Sequence, residues 1–288
     1  MKAAIDGYQL LDSGDGRKLE QFGDRIIDRP SSLCSWKRRQ SEEMWSAAHA
    51  HYDPEAGWSH GSTASKTWQA PMQGTQLVLE LLSNGQVGLF PEHAIYLPEI
   101  EQAILKLQRH TNRNTRVLNL FAYSGLATSF CAKLPRVHVT HVDLSKRAIE
   151  WAKRNAEINS IPGDSIRWIV DDALGFMARE SRKSQVYDIV IIDPPSFSRL
   201  SKKNSWTLDE KAAEIMSLVL DVVNHEQFAV YFTNHSSAST SDVVGNIAHD
   251  TVNAKELICD TRSLAITEKS SIRRLPAGAL IMLSMGLA

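Results

Sequence analysis

The chain has 288 residues, 43% of them hydrophobic and 23% charged, enough for one large domain with an ordinary core plus a smaller one. A formal net charge of −1 excludes a global positive field that would draw the chain to nucleic acid, so any such surface must be local. Cys34, Cys131 and Cys259 are too far apart for a metal-type spacing and read as reduced thiols, and no apolar run reaches signal-peptide or membrane-span length, so the expected location is cytoplasmic.

Residues 8–22 read as strand, turn and strand, with Gly14 and Gly16 supplying the positive φ of a hairpin loop. A third strand over 24–28 is stopped by Pro30. A helix around 42–51 leads into a loop holding Trp58, strands follow over 67–72 and 76–83, and Asn84-Gly85 turns the chain into 87–90. Residues 1–90 are therefore expected to form a small β-rich N-terminal domain. Acidic residues slightly outnumber basic ones as far as Asn114, unlike the basic stripe of a dedicated nucleic-acid grip. Pro91 opens a helix whose apolar stripe (Ile95, Ile100, Ala103, Ile104, Leu107) runs to Arg109, making 91–115 a connecting helix and linker.

From 116 to 288 short apolar runs alternate with helical runs, the pattern of a doubly wound, mostly parallel α/β sheet. Strands are predicted over 117–120, 137–142, 166–170, 186–192 and 228–233. Helices are predicted around 126–133, 146–159, 174–182, 208–224 and 241–251. Two last strands, near 254–258 and 279–285, are joined by a loop and bring the sheet to seven strands with an antiparallel edge.

Chemistry is expected at the strand tips. Asn119-Leu-Phe121-Ala122-Tyr123-Ser124-Gly125 reads as a strand end, a tight turn and a helix start, where free N–H groups and close backbone approach favour a ligand. Asp143, followed by Leu144, ends the second strand; it suits the two hydroxyls of a ribose or the cap of the next helix. Asp172-Ala173 follows the third strand and suits an adenine edge or, again, a helix cap. At the end of the fourth strand stands Asp193-Pro194-Pro195-Ser196-Phe197. Two residues without N–H groups leave carbonyls as an acceptor edge for a planar group, and Phe197 can stack on a base. No metal site is read.

These motifs, taken in order, resemble those of class I S-adenosylmethionine-dependent methyltransferases, which have a Rossmann-like fold. The subgroup they resemble most is the bacterial 23S ribosomal RNA large-subunit methyltransferases. The similarity rests on Leu-Asn-Leu-Phe-Ala-Tyr-Ser-Gly, Val-Asp-Leu-Ser, Glu150-Trp-Ala-Lys-Arg-Asn155 and Asp-Pro-Pro-Ser-Phe-Ser, with Gly88-Leu-Phe-Pro-Glu-His93 just before the domain. The resemblance implies S-adenosyl-L-methionine as cofactor: its methionine part held by the Asn119–Gly125 turn, its ribose by Asp143, its adenine by Asp172. Asp193 and the Pro-Pro carbonyls would face the target, with ribosomal RNA as partner.

Carbon-5 methylation of cytosine needs an attacking cysteine, which related enzymes carry after the fifth strand; here that place reads Phe232-Thr-Asn-His-Ser-Ser237. Asp-Pro-Pro-x-Phe-Ser resembles the guanine N7 enzymes, whose ring nitrogen brings its own lone pair. Arg199, Lys202 and Lys203, with Trp206 nearby, and Arg273 and Arg274 before the last strand are the candidate RNA contacts. Methylation of a protein or small molecule is a second reading, and a non-catalytic RNA-binding protein of the same fold a third. A nucleotide-dependent oxidoreductase is disfavoured because the first turn lacks Gly-x-Gly-x-x-Gly.

Overall fold

In a computed structural model the chain divides into two compact units, Met1–Tyr96 with Ala265–Ala277, and Leu97–Leu264 with Gly278–Ala288. The structure describes residues 5–60, 65–201, 204–235, 245–247, 250 and 257–287.

The first unit is β-rich. Strands β1 (Tyr8–Gly14), β2 (Arg17–Phe22), β3 (Arg25–Pro30), β4 (Ala50–Asp53) and β5 (Gly57–His60) form one sheet in that order, and β6 (Thr67–Met72) pairs with β7 (Thr75–Glu80). The helix expected over 42–51 is only α1 (Glu42–Ser46), capped by the Ser41 hydroxyl. Beyond it the chain is strand, because β3 offers an open edge to which β4 adds in parallel through Ile27 and Ala50. Trp58, expected in a loop, lies on β5 opposite Tyr52. At the centre, Glu20 is completely buried. It accepts from the Tyr8 hydroxyl at 2.9 Å and from Arg29 Nη2 at 2.6 Å, so its charge is paired. Those partners, with Lys18, hold its carboxyl below the usual range although burial alone would raise it.

In the second unit α2 (Leu97–His110) precedes β8 (Thr115–Leu120), α3 (Leu126–Ala132), β9 (Val137–Asp143), α4 (Lys146–Ile158), β10 (Ile166–Val170), α5 (Ala173–Arg182) and β11 (Ile189–Ile192). Then come β12 (Phe197–Ser201), β13 (Asn204–Thr207), α6 (Leu208–Leu220), β14 (Phe228–Asn234), β15 (Ile258–Thr267) and β16 (Arg274–Met285). The seven-stranded sheet has the order β10-β9-β8-β11-β14-β16-β15. Its first five strands are mutually parallel, and β16 runs antiparallel to β14, as the pattern predicts. Buried Leu118, Val190, Val230 and Leu283 line one face of the core under α5 and α6.

The predicted helix at 241–251 falls largely outside the described residues. Two differences from the sequence reading matter. The strand expected near 254–258 is β15, which runs from Ile258 to Thr267, and the last strand is longer than expected: β16 pairs with β14 only from Ala279 to Met285, so the hairpin overhangs the sheet and residues 265–277 belong to the first unit. The polar segment after Asp-Pro-Pro is a hairpin, β12–β13, in which Trp206 is 4% exposed and edge-on to Phe121 at 6.1 Å. It is core, not an open stacking surface, because alternation along β13 turns the indole inward.

Candidate active site

Parallel strands all end at one edge, so β8, β9, β10, β11 and β14 deliver their following residues to a common crevice. After β8 the backbone turns through three left-handed residues, Phe121 (φ 54°), Tyr123 (φ 48°) and Gly125 (φ 81°). Bulky residues rarely adopt this conformation, so the turn is held by its contacts. The Ala122 N–H donates to the Val142 carbonyl at 3.1 Å and the Tyr123 N–H to Asp143 Oδ2 at 2.9 Å. A Cβ on Gly125 would come within 2.8 Å of Ala152 Cβ, so glycine lets the start of α3 approach α4. Ser124 is buried, and its carbonyl accepts from Asn155 Nδ2 at 2.8 Å. Asn155 had no role in the sequence reading; a polar residue on the buried face of α4 was the available signal.

Asn119 is only 4% exposed, and its Nδ2 donates to Thr128 Oγ1 at 2.9 Å; that oxygen lies 2.8 Å from His141 Nδ1. Burial pushes the imidazole down to about 3, so His141 is neutral and Asn119 braces the turn from inside.

Asp143 accepts from the Tyr123 and Ser145 N–H groups, at 2.9 and 2.8 Å, one on each carboxylate oxygen. Burial nevertheless holds its carboxyl above the usual range. A carboxylate has about four lone-pair sites, so two donors leave capacity for a diol. Helix α4 is capped by Ser145 and not by Asp143. Asp172 does cap α5, accepting from the Gly175 N–H at 2.8 Å, and Ala173 is the first helical residue and buried. Three large apolar side chains are exposed along the same edge: Leu144 at 50%, Val170 at 46% and Phe197 at 53%. Val170 escaped the sequence reading; its place directly before the Asp171-Asp172 tip was the clue.

Asp193 follows β11, with Pro194 buried and Pro195 exposed. Its Oδ1 receives the Thr233 hydroxyl and lies 3.0 Å from His235 Nε2. Thr233 and His235 stand where the sequence reading sought a cysteine. Register places them there: Ile192 pairs with Phe232 in the parallel β11–β14 ladder.

The profile of the S-adenosylmethionine-dependent methyltransferases matches residues 13–225, well over half of the chain. The chain belongs to that family. A ribosomal RNA large subunit methyltransferase K/L of Magnetococcus marinus is 31% identical over 164 residues, 56% of this chain; the chain spans about a fifth of that relative's length (21%). The crystal structure of the SAM-dependent methyltransferase of Agrobacterium tumefaciens superposes with a TM-score of 0.90 at 28% identity, covering 99% of this chain and 92% of that one. SMU.776, complexed with SAH, shares the fold at 16% identity, with a TM-score of 0.76 over 97% of this chain and 76% of its own.

The crevice combines a turn whose glycine admits no side chain, a half-buried carboxylate with spare acceptor capacity, and exposed apolar tips. A cleft of about 550 Å³ lies at the opposite edge, lined by Lys133, Arg136, His138 and Asn159, and contains none of these groups. There Asp188 ties the strands' amino ends together, gripped by Arg113 at 2.7 and 2.6 Å.

Of the candidate RNA contacts, Lys202 and Lys203 lie outside the described residues, and Arg199 stands on β12. Arg273 is in the first unit, where its Nη1 donates to the Ser13 and Lys37 carbonyls at 2.8 and 3.0 Å beside Asp12 and Glu268. Arg274, in the same unit, is exposed. Among the described residues no helix is long and apolar enough to cross a membrane.

Proposed function

We propose that this methyltransferase acts in the cytoplasm on a base of ribosomal RNA, with guanine N7 as the acceptor. The observation that carries this reading is at the tips of β11 and β14. Asp193, half-exposed Phe197, Thr233 and His235 gather there, and no thiol stands where a carbon-5 enzyme needs its nucleophile. Burial also raises all three thiols, Cys131 up to about 12, so none is an activated thiolate. The ribosomal RNA substrate is supported by the names of the relatives that match about half of this chain.

In this reading the Phe121–Gly125 turn holds the methionine part of the cofactor, Asp143 its ribose, and Asp172, Ala173 and Leu144 its adenine. Asp193 and the Pro194 and Pro195 carbonyls orient the base, and Phe197 covers its face. The cofactor supplies an already activated methyl group, which the N7 lone pair takes without loss of a proton. The chain's work is therefore positioning, plus stabilisation by the Asp193 carboxylate of the positive charge that arises on the purine.

Mass spectrometry of 23S ribosomal RNA nucleosides from a deletion strain tests this. Loss of one 7-methylguanosine is the expected result. A change confined to another methylated base removes the N7 assignment, and an unchanged nucleoside profile favours a protein or small-molecule acceptor.

A further inference from the structure

We infer that His235 is a positioning residue for methyl transfer: with Thr233 it sets the orientation of the Asp193 carboxylate. This rests on the reading that Asp193 faces the target base. Three elements converge on the contact. The β11–β14 register brings Thr233 beside Asp193, and the buried Thr233 hydroxyl reaches both Asp193 Oδ1 and, at 3.2 Å, the Ile192 carbonyl. His235 Nε2 lies 3.0 Å from the same carboxylate oxygen. On the other side of the imidazole is Gly278 of β16, at φ +100°. A Cβ there would come within 2.7 Å of His235 Nδ1 and within 2.7 Å of the Asn234 carbonyl, so the ring keeps its place only against glycine.

An ionised carboxylate only accepts hydrogen bonds, so the imidazole must carry its proton on Nε2 and the neutral ring suffices. A partly exposed His–Asp contact contributes little to folding by itself. In the transfer reaction the same contact matters more. Positive charge arises on the base, and a carboxylate turned out of line stabilises it less; small misplacements in a site cost on the order of 100-fold in rate.

The test compares His235→Ala, His235→Gln and Asp193→Asn in the full chain. The assay follows radiolabelled methyl transfer from S-adenosylmethionine to protein-free 23S ribosomal RNA of a deletion strain. His235→Ala should lower kcat roughly 10- to 100-fold with unchanged KM for the cofactor and unchanged melting temperature, and His235→Gln, which keeps a donor, should recover most of it. Long-range ¹H–¹⁵N spectra, which need no turnover, should show His235 as the Nε2–H tautomer in the wild type and a shifted signal in Asp193→Asn. Wild-type kcat in His235→Ala, a Gln variant as slow as Ala, or an Nδ1–H tautomer would each overturn the inference. Wild-type kcat in Asp193→Asn would instead sink the reading of Asp193 on which it rests.

Discussion

The Tyr123 N–H donates to Asp143 Oδ2 at 2.9 Å, so the carboxylate at the tip of β9 holds the left-handed residue of the turn after β8. One side chain thereby shapes the turn and keeps the acceptor capacity that the proposed function assigns to the cofactor's ribose. Asp143→Ala removes both functions and should weaken S-adenosylhomocysteine binding by roughly 1.5–3 kcal/mol, the loss of a charged acceptor. Calorimetry giving wild-type affinity would take Asp143 out of the site.

Burial holds the Asp143 carboxyl above its ordinary 3.8. Between the ordinary and the raised value the folded chain keeps a proton that the unfolded chain has released, so this group's contribution to stability falls as pH rises through that window. Binding should move the other way, since only the carboxylate accepts from both hydroxyls. Affinity for S-adenosylhomocysteine is expected to drop on acidification with a midpoint above 3.8. Asp143→Asn should flatten that profile, and an equally steep profile in the variant would assign the titration elsewhere.

His141 has the opposite linkage. Its imidazole is pushed down from 6.5 to about 3 by burial, so below 6.5 the unfolded chain binds a proton the folded chain refuses. Stability should therefore fall as pH drops from about 6.5 towards 3, by an amount of the order of 5 kcal/mol when complete. Urea titrations across that range should show the loss largely abolished in His141→Gln, after allowance for the variant's lower starting stability.

Gly125→Ala places a methyl 2.8 Å from Ala152 Cβ at a φ of 81°. Destabilisation of about 1–3 kcal/mol is expected from the backbone strain alone, with cofactor affinity reduced as α3 moves away from α4. Gly125→Ala in an Ala152→Gly background relieves the clash but not the strain, and should recover only part of the loss in denaturant midpoint.

Replacing Cys34, Cys131 and Cys259 together by Ala or Ser should leave turnover within about an order of magnitude, the margin being packing loss around the buried thiols. Abolished turnover with fold and cofactor binding intact would bring carbon-5 chemistry back.

Changing Arg199, Lys202 and Lys203 to Ala should reduce the salt dependence of RNA binding, at constant cofactor affinity. The slope should fall by about 0.7–0.9 for each phosphate that the variant no longer neutralises. Arg273→Ala should act on stability instead, since its guanidinium is engaged by Ser13, Lys37, Asp12 and Glu268. An unchanged salt slope in the triple variant would move the RNA contacts elsewhere.

The doubly wound sheet was legible because alternation of short apolar runs with amphipathic runs is a local property, and β10 appears over the residues that periodicity assigns. The acids at the strand tips were legible for the same reason: each follows an apolar run directly. Roles decided by partners distant in sequence were not. Only the parallel register of β11 and β14 reveals that Thr233 and His235 belong to Asp193, about forty residues earlier. Only packing shows that Trp206 is core while Phe197, at the start of the same hairpin, stays exposed. Arg273 read as a candidate RNA contact until the fold placed it in the first unit, against Asp12 near the chain's beginning and Glu268. Periodicity sets which face of an element is apolar; which polar groups meet across elements is set by register and closure of the chain, and those exist only once it has folded.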